Sequence, residues 1–228
     1  TMFGNKQTEG LIQSICRNIY SKIESEMIHG TDFAVTVSFL EVYSENLRDL
    51  LASPQKGKSL KMHRDPKSSS LNIKDLQTVS VTSFEDLLSY VALGLSTRNS
   101  ATACSRSHRS NVILKIFLEQ RNYKDEIIKS SSIQLVDLAG SDKLDRHSEP
   151  SIPSDEIKKI NLSIDTLDNV VRSLAGTSTA ETDGRPLSDS HRAPYRDSNL
   201  TKLLQEAIGG NSKTTVLLAS STSKQNQE

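Results

Sequence analysis

Three short stretches of the chain hold the residue types able to do chemistry. The first is Ser131–Asp142, SSIQLVDLAGSD. Ile133, Leu135 and Val136 head for a core, yet the run ends on a carboxylate, Asp137, with Gly140 three residues behind it. An acid in that position can simply open a turn. In phosphate-binding α/β folds the same arrangement does more. A carboxylate at a strand's C-terminal end holds Mg2+, usually through water, and a glycine just beyond lets a backbone N–H reach the terminal phosphate because no Cβ intervenes. The second stretch is Cys104–His108, CSRSH. Its serine hydroxyls could ligate Mg2+ or bond phosphate, and Arg106 could neutralise developing charge. A solvated serine-rich loop has the same composition. The third is Pro194–Thr201, PYRDSNLT, where Asp197 and Ser198 suit a helix start by satisfying its free backbone donors.

The elements that must position these stretches follow from hydrophobic periodicity. Ile12, Ile15, Cys16, Ile19, Tyr20 and Ile23 predict an amphipathic helix over 11–28. FAVTVSFLEVY (33–43) reads as a strand rich in β-branched and aromatic residues. SENLRDLL (44–51) suggests a short helical turn, ASPQKGKS (52–59) a polar loop, and two short strand signals follow around 60–64 and 71–81. SFEDLLSYVALGL (83–95) predicts a helix capped by Ser83, and 96–108 is polar with no apolar period. NVILKIFLEQ (111–120) is a strand that could pair with the strand ending at Asp137 as a long antiparallel ladder. Ile157, Ile160, Ile164, Leu167, Val170, Val171 and Leu174 mark a long helix at about 154–175. A polar loop (176–193), a helix (198–208) stopped by Gly209-Gly210, and a continuous apolar strand TTVLLAS (214–220) complete the chain. Strands mixed with long helices predict an α/β fold, a central mixed sheet with helices on both faces. In such folds ligand sites form beyond strand C-termini, so Asp137, Ser105 and Gly140 are expected at one sheet edge.

Composition narrows the chemistry. The 228 residues carry 28 Lys+Arg against 28 Asp+Glu, so overall charge does not point to nucleic acid. No apolar run approaches the ~20 residues of a membrane helix, and no charged-then-apolar leader is present. The two cysteines and five scattered histidines make neither a disulfide framework nor a zinc site. Cys16 falls in an apolar helical stripe and reads as core.

Taken in order, SRSH, a strand ending in DLAGS, Ile160-Asn161 within a long helix, and YRDSNLT followed by GGN and TTVLL resemble the kinesin motor domain over essentially the whole chain. SFLEVYSENLRDLL resembles that family's YLEIYNEXIRDLL, and TMFGN followed by GLI resembles the stretch after its phosphate-binding loop. The resemblance implies an incomplete P-loop NTPase architecture of kinesin/myosin type over 1–228. Switch I would lie at about 97–108, switch II at 137–142, the relay helix at about 154–175 and the YRDS segment at 194–201. It implies ATP-driven, microtubule-based movement, with ATP and Mg2+ as cofactors, the microtubule as partner, and the cytoplasm and cytoskeleton as location. By that match Ser105 lies next to Mg2+, Arg106 pairs with Asp142, and Ser107 and His108 complete the motif near the γ-phosphate. Asp137 holds Mg2+ through water and the N–H of Gly140 bonds the γ-phosphate. Lys158, Lys159, Asn161 and Arg172 on the relay helix, with Tyr195, Arg196, Asp197 and Ser198, would meet the microtubule.

The chain also departs from the family pattern. The GxxxxGK[ST] loop is expected just upstream of Thr1, and a C-terminal helix and neck beyond the last residue, so this chain by itself is not expected to hydrolyse ATP. Ala101 and Cys104 stand where N-x-x-S-S-R-S-H has Asn and Ser, and Asp142 stands where DLAGSE has Glu. Pro150 and Pro153 occupy a loop that in the family is glycine-bearing. Leu162 and Asn199 replace lysines of INKSL and YRDSK. These departures favour an alternative expectation, a kinesin-like non-motile microtubule or cytoskeletal tether with reduced or lost ATPase.

Overall fold

The computed structural model describes residues 2–4, 7–28, 30–52, 60–64, 71–101, 109–122, 127–140, 144, 152–180 and 193–219. Ser105, Arg106, Ser107, His108 and Asp142, and with them the expected Arg106–Asp142 pair, lie outside the described residues. The chain divides into two compact units, Thr1–Asp165 and Thr166–Glu228.

The first unit is built on a sheet ordered β2-β1-β6-β7, with β5 also pairing with β1. Its strands are β1 (Thr31–Tyr43), β2 (Asn46–Asp49), β5 (Val79–Val81), β6 (Asn111–Asn122) and β7 (Ile127–Asp137). All pairings among them are antiparallel. Alternation along β1 sends Val35, Val37 and Phe39 to one face, opposite Leu118, Ile116 and Leu114 of β6. Helices α1 (Leu11–Met27) and α2 (Phe84–Ala101) contribute Ile12, Cys16, Tyr20, Ile23, Leu87 and Val91 to the core on that face. The other face also buries Leu40, Val42 and Ile113. β3 (Lys61–Arg64) and β4 (Leu71–Lys74) form a separate two-stranded sheet, mostly exposed. The long helix α3 (Ser154–Ala180) begins in the first unit and continues into the second.

The second unit carries a 3-10 turn at Tyr195–Asp197 and the short helix α4 (Asn199–Leu204). Ser198 caps α4, its Oγ accepting from the Leu200 N–H at 3.2 Å.

Four local expectations change. Residues 46–49 form a strand, because Ser44 and Glu45 turn the chain back so that Tyr43 faces Asn46. α2 runs on to Ala101 through a polar stretch whose inward position holds Arg98 instead of a large apolar residue. α4 stops at Leu204, followed by turns to Gly209, whose φ of 108° suits only glycine well. The TTVLLA stretch forms no strand, and Val216, Leu217 and Leu218 are exposed. A strand needs a hydrogen-bonding neighbour, and none pairs with this stretch among the described residues.

Candidate functional site

The core face of the sheet changes character in its last row. Three successive rows across β1, β6 and β7 are apolar or nearly so, ending with Phe39, Leu114 and Leu135. The next row, in the same register, is Arg48 on β2, Glu41 on β1, Val112 on β6 and Asp137 on β7. Asp137 is the last residue of β7, as the sequence predicts. The register that buries the core thus carries a carboxylate to the strand's C-terminal end.

Glu41 is buried, at 2% exposure, so its charge needs partners. Arg48 Nη2 lies 2.6 Å from its Oε2 and Arg98 Nε 3.6 Å from its Oε1. Arg98 comes from α2, on the inward stripe that includes Leu87, Val91 and Gly94, and is itself buried. Its Nε and Nη2 donate to the Ser110 Oγ at 3.2 and 3.0 Å, and Nη2 also donates to the Ser110 carbonyl at 3.1 Å. Its Nη1 reaches Asp137 Oδ2 at 3.5 Å. Charges therefore alternate along the row, from Arg48 through Glu41 and Arg98 to Asp137. Sequence reading missed Glu41 and Arg98. The available signal was a charged residue at an inward phase of each element, which requires a buried partner of opposite sign.

The segment after Asp137 is held at two points. Asn111 Oδ1 accepts from the Ala139 N–H at 2.9 Å. Farther on, the Asn161 amide of α3 engages both backbone groups of Leu144, accepting from its N–H at 3.0 Å and donating to its carbonyl at 2.8 Å. Gly140 is exposed.

A magnesium ion that keeps its waters and binds phosphate oxygens asks the protein for only one or two carboxylates. Asp137 fits this need, with a hard oxygen donor at a strand end and a side chain 38% exposed. Among the described residues no group of three or more His, Cys, Asp and Glu side chains could hold a metal without such outside ligands.

The remaining candidates divide between outward and inward roles. Lys158 and Lys159 on α3 are exposed, Lys158 lying 3.7 Å from Asp155. Arg172 is exposed and its Nε donates to Asp168 Oδ2 at 2.8 Å. In the second unit Arg196 and Asp197 face solvent. Tyr195 donates its hydroxyl to the Ile208 carbonyl, and burial pushes its phenol above the usual value. Ser198 is fully buried beneath its cap. Asn199 Oδ1 accepts from Lys202 Nζ at 3.1 Å, and Leu162 is 39% exposed.

Comparison with known proteins decides the family. The kinesin motor domain model matches residues 1–228. The chain belongs to the kinesin motor domain family. It is 38% identical over 222 residues to kinesin-related protein SMY1 of Saccharomyces cerevisiae, covering 96% of this chain and 33% of that protein. It is 36% identical over 231 residues to the kinesin heavy chain of Botryotinia fuckeliana, covering 100% of this chain and 24% of that one. The solved structure of a fast kinesin, described for its ATPase mechanism and interactions with microtubules, superposes with a TM-score of 0.79 at 34% identity, covering 94% of this chain and 57% of that one. The Kar3 motor domain of S. cerevisiae superposes with a TM-score of 0.71 at 29% identity, covering 94% of this chain and 61% of that one. The chain thus spans between 18% and 61% of the length of the kinesins it matches. Kinesin motor domains generally bind ATP with Mg2+ and bind microtubules. No helix among the described residues is long and apolar enough to cross a membrane.

Proposed function

We propose that this chain is the switch-bearing part of an ATP-driven microtubule motor domain, with Asp137 and Gly140 as its switch II and α3 as its relay helix. The observation that supports this best is the placement of Asp137. It ends β7 in register with the core, and a buried arginine with four other polar contacts sets the position of its carboxylate. Asp137 would hold Mg2+ through water, and the ion would supply neutralisation of the phosphate charge. The chain's own residues do the rest. Asp137 orients water at the strand end, and Arg98 fixes which way the carboxylate faces. The Gly140 N–H donates to the terminal phosphate. By the family pattern Ser105 would lie next to Mg2+, Ser107 and His108 near the γ-phosphate, and Arg106 would pair with Asp142. Asn161 ties the position of α3 to Leu144, seven residues beyond Asp137, so a shift of switch II is passed to the helix. Lys158, Lys159, Arg172 and Arg196 supply the cations that meet acidic tubulin, with Tyr195, Asp197 and Ser198 shaping the segment that carries Arg196.

A second reading, a tether with reduced ATPase, is favoured by the exposed Leu162 and by Asn199, which stand where the family pattern has lysines. One experiment separates the two. The full-length protein is assayed for ATP turnover with and without microtubules, beside an Asp137→Asn variant and microtubule co-sedimentation. The motor reading expects microtubule-stimulated turnover that falls at least a hundredfold in the variant. Co-sedimentation without turnover supports the tether, and absence of both defeats both readings.

A further inference from the structure

Tyr43 closes the β1–β2 hairpin opposite Asn46. The two residues between them, Ser44 and Glu45, have φ of 49° and 61°. A two-residue turn with both residues left-handed matches the twist of the strands it joins, but it favours glycine and asparagine. Side chains with a Cβ are strained there. Such strain persists where the surroundings over-determine it, and it gathers at switch regions. One restraint is local: Asn46 Nδ2 donates to the Ser44 carbonyl at 3.0 Å. A further restraint is distant in sequence. The Tyr43 hydroxyl donates to the Glu156 carboxylate, in the first turn of α3.

Glu156 differs from its neighbours. Asp155 and Lys158 are exposed and paired with each other, whereas Glu156 is half-buried and turned toward the sheet. Tyr43 in turn sits two residues beyond Glu41 on the same strand, so both point to the same face. Glu41 connects through Arg98 to Asp137. Two routes therefore lead from Asp137 to α3. One is the chain itself, through residues 138–153 and the Asn161 clamp on Leu144. The other runs through side chains and the end of β1: Asp137, Arg98, Glu41, Tyr43, Glu156.

We propose that Tyr43 is a positioning residue for the relay helix, its hydroxyl acting as the catch that holds the first turn of α3 to the end of β1. The strained hairpin presents the hydroxyl, and the inward carboxylate of Glu156 receives it. With the catch closed, a displacement at Asp137 reaches α3 by the second route as well as the first. With it open, the first turn of α3 is free to fray or swing while the Asn161 clamp still holds. The coupling role rests on the motor reading of α3 given above; the catch itself does not.

The test uses the full-length protein with Tyr43→Phe, Glu156→Ala and Glu156→Gln. Tyr43→Phe keeps the ring in place, and glutamine still offers an oxygen acceptor. The first readout is hydrogen–deuterium exchange of the Lys158–Asn161 amides, which bond back to the first-turn carbonyls. A charge-assisted hydrogen bond of ordinary strength predicts about tenfold faster exchange, ~1.4 kcal/mol, in Tyr43→Phe and Glu156→Ala. Glu156→Gln should stay within about threefold of the unaltered protein. The second readout is the microtubule concentration giving half-maximal stimulation of turnover. It should rise about tenfold in Tyr43→Phe and be restored toward normal in Glu156→Gln, with turnover in the absence of microtubules unchanged. Unaltered exchange in Tyr43→Phe overturns the catch. Faster exchange with an unchanged microtubule response, in a protein that microtubules do stimulate, overturns the coupling. If the unaltered protein ignores microtubules, the motor reading fails and the exchange data alone decide the catch.

Discussion

Gly94 sets how far Arg98 can reach. A Cβ built on Gly94 would lie 2.1 Å from Cδ1 and 2.5 Å from Cε1 of Phe39. That ring is fully buried and cannot swing aside. Carbon atoms rest at about 3.5–4.0 Å, so Gly94→Ala must separate helix and ring by more than ~1 Å. Overpacking of this kind costs about 1–3 kcal/mol, and the clash here is with a rigid ring, which argues for the upper part of that range. The better helix propensity of alanine returns about 0.8–1.0 kcal/mol. A net loss of about 1–2 kcal/mol is expected, read as a lower urea midpoint at unchanged slope. The same movement acts on the site. Arg98 lies one helical turn beyond Gly94, and its contacts to Asp137 and Glu41 are already 3.5 and 3.6 Å, so lifting α2 by ~1 Å separates them. Phe39→Leu tests the cause, because a smaller side chain leaves space for the new methyl. The double variant should be more stable than the sum of the single losses by at least ~1 kcal/mol, a coupling expected only of residues in contact. Gly94→Ala as stable as the unaltered protein, or single effects that simply add within ~0.5 kcal/mol, would refute the packing argument.

Arg98→Met should lower stability by about 3–5 kcal/mol, since it removes one partner of a buried ion pair; adding Glu41→Gln should recover part of the loss in the same denaturation assay. Asn161→Ala leaves the Leu144 N–H and carbonyl without their side-chain partner, and should cost about 1–3 kcal/mol and speed Leu144 amide exchange. Burial pushes the Cys16 thiol up to about 11 from its usual 9.0, so the unfolded chain loses that proton first. The Cys16 contribution to stability is therefore complete below pH 9 and is lost as pH rises toward 11; Cys16→Ala should flatten the melting temperature over that window.

Where one physical signal dominates a segment, sequence and structure agree closely. The stripe Ile12, Cys16, Tyr20 and Ile23 buries as a helix face, and β6 and β7 form the long antiparallel pair ending at Asp137. Disagreement appears where a local preference competes with tertiary pairing. Residues 46–49 contain helix-favouring Leu and Arg, yet pairing with β1 buries Leu47 and Asp49 and outweighs that preference. The polar end of α2 lacks apolar periodicity because its inward position is Arg98, directed at two carboxylates, one turn beyond Gly94, which is held against Phe39. Neither residue counts as hydrophobic, so the period vanishes from the sequence while the helix continues. Ser198, which the sequence offers as a helix cap, does cap α4.

The buried charges explain why the site stands where it does. A buried Arg–Glu pair is a poor stabiliser, because desolvation of both ions offsets much of their attraction. Here it occupies the one row of the core face that also contains Asp137. Side chains alternate with a period of two along each strand, so a slip of one residue between β6 and β7 would turn Leu135 and Asp137 to the other face together. The burial of Leu114, Ile116 and Leu135 resists that slip. Core packing thus fixes the height and facing of the Asp137 backbone, and Arg98, held by Glu41 and Ser110, reaches its carboxylate at 3.5 Å. The apolar rows fix the strand and the charged row orients its end. Loss of the charged row should therefore disorder the site more than it disorders the sheet.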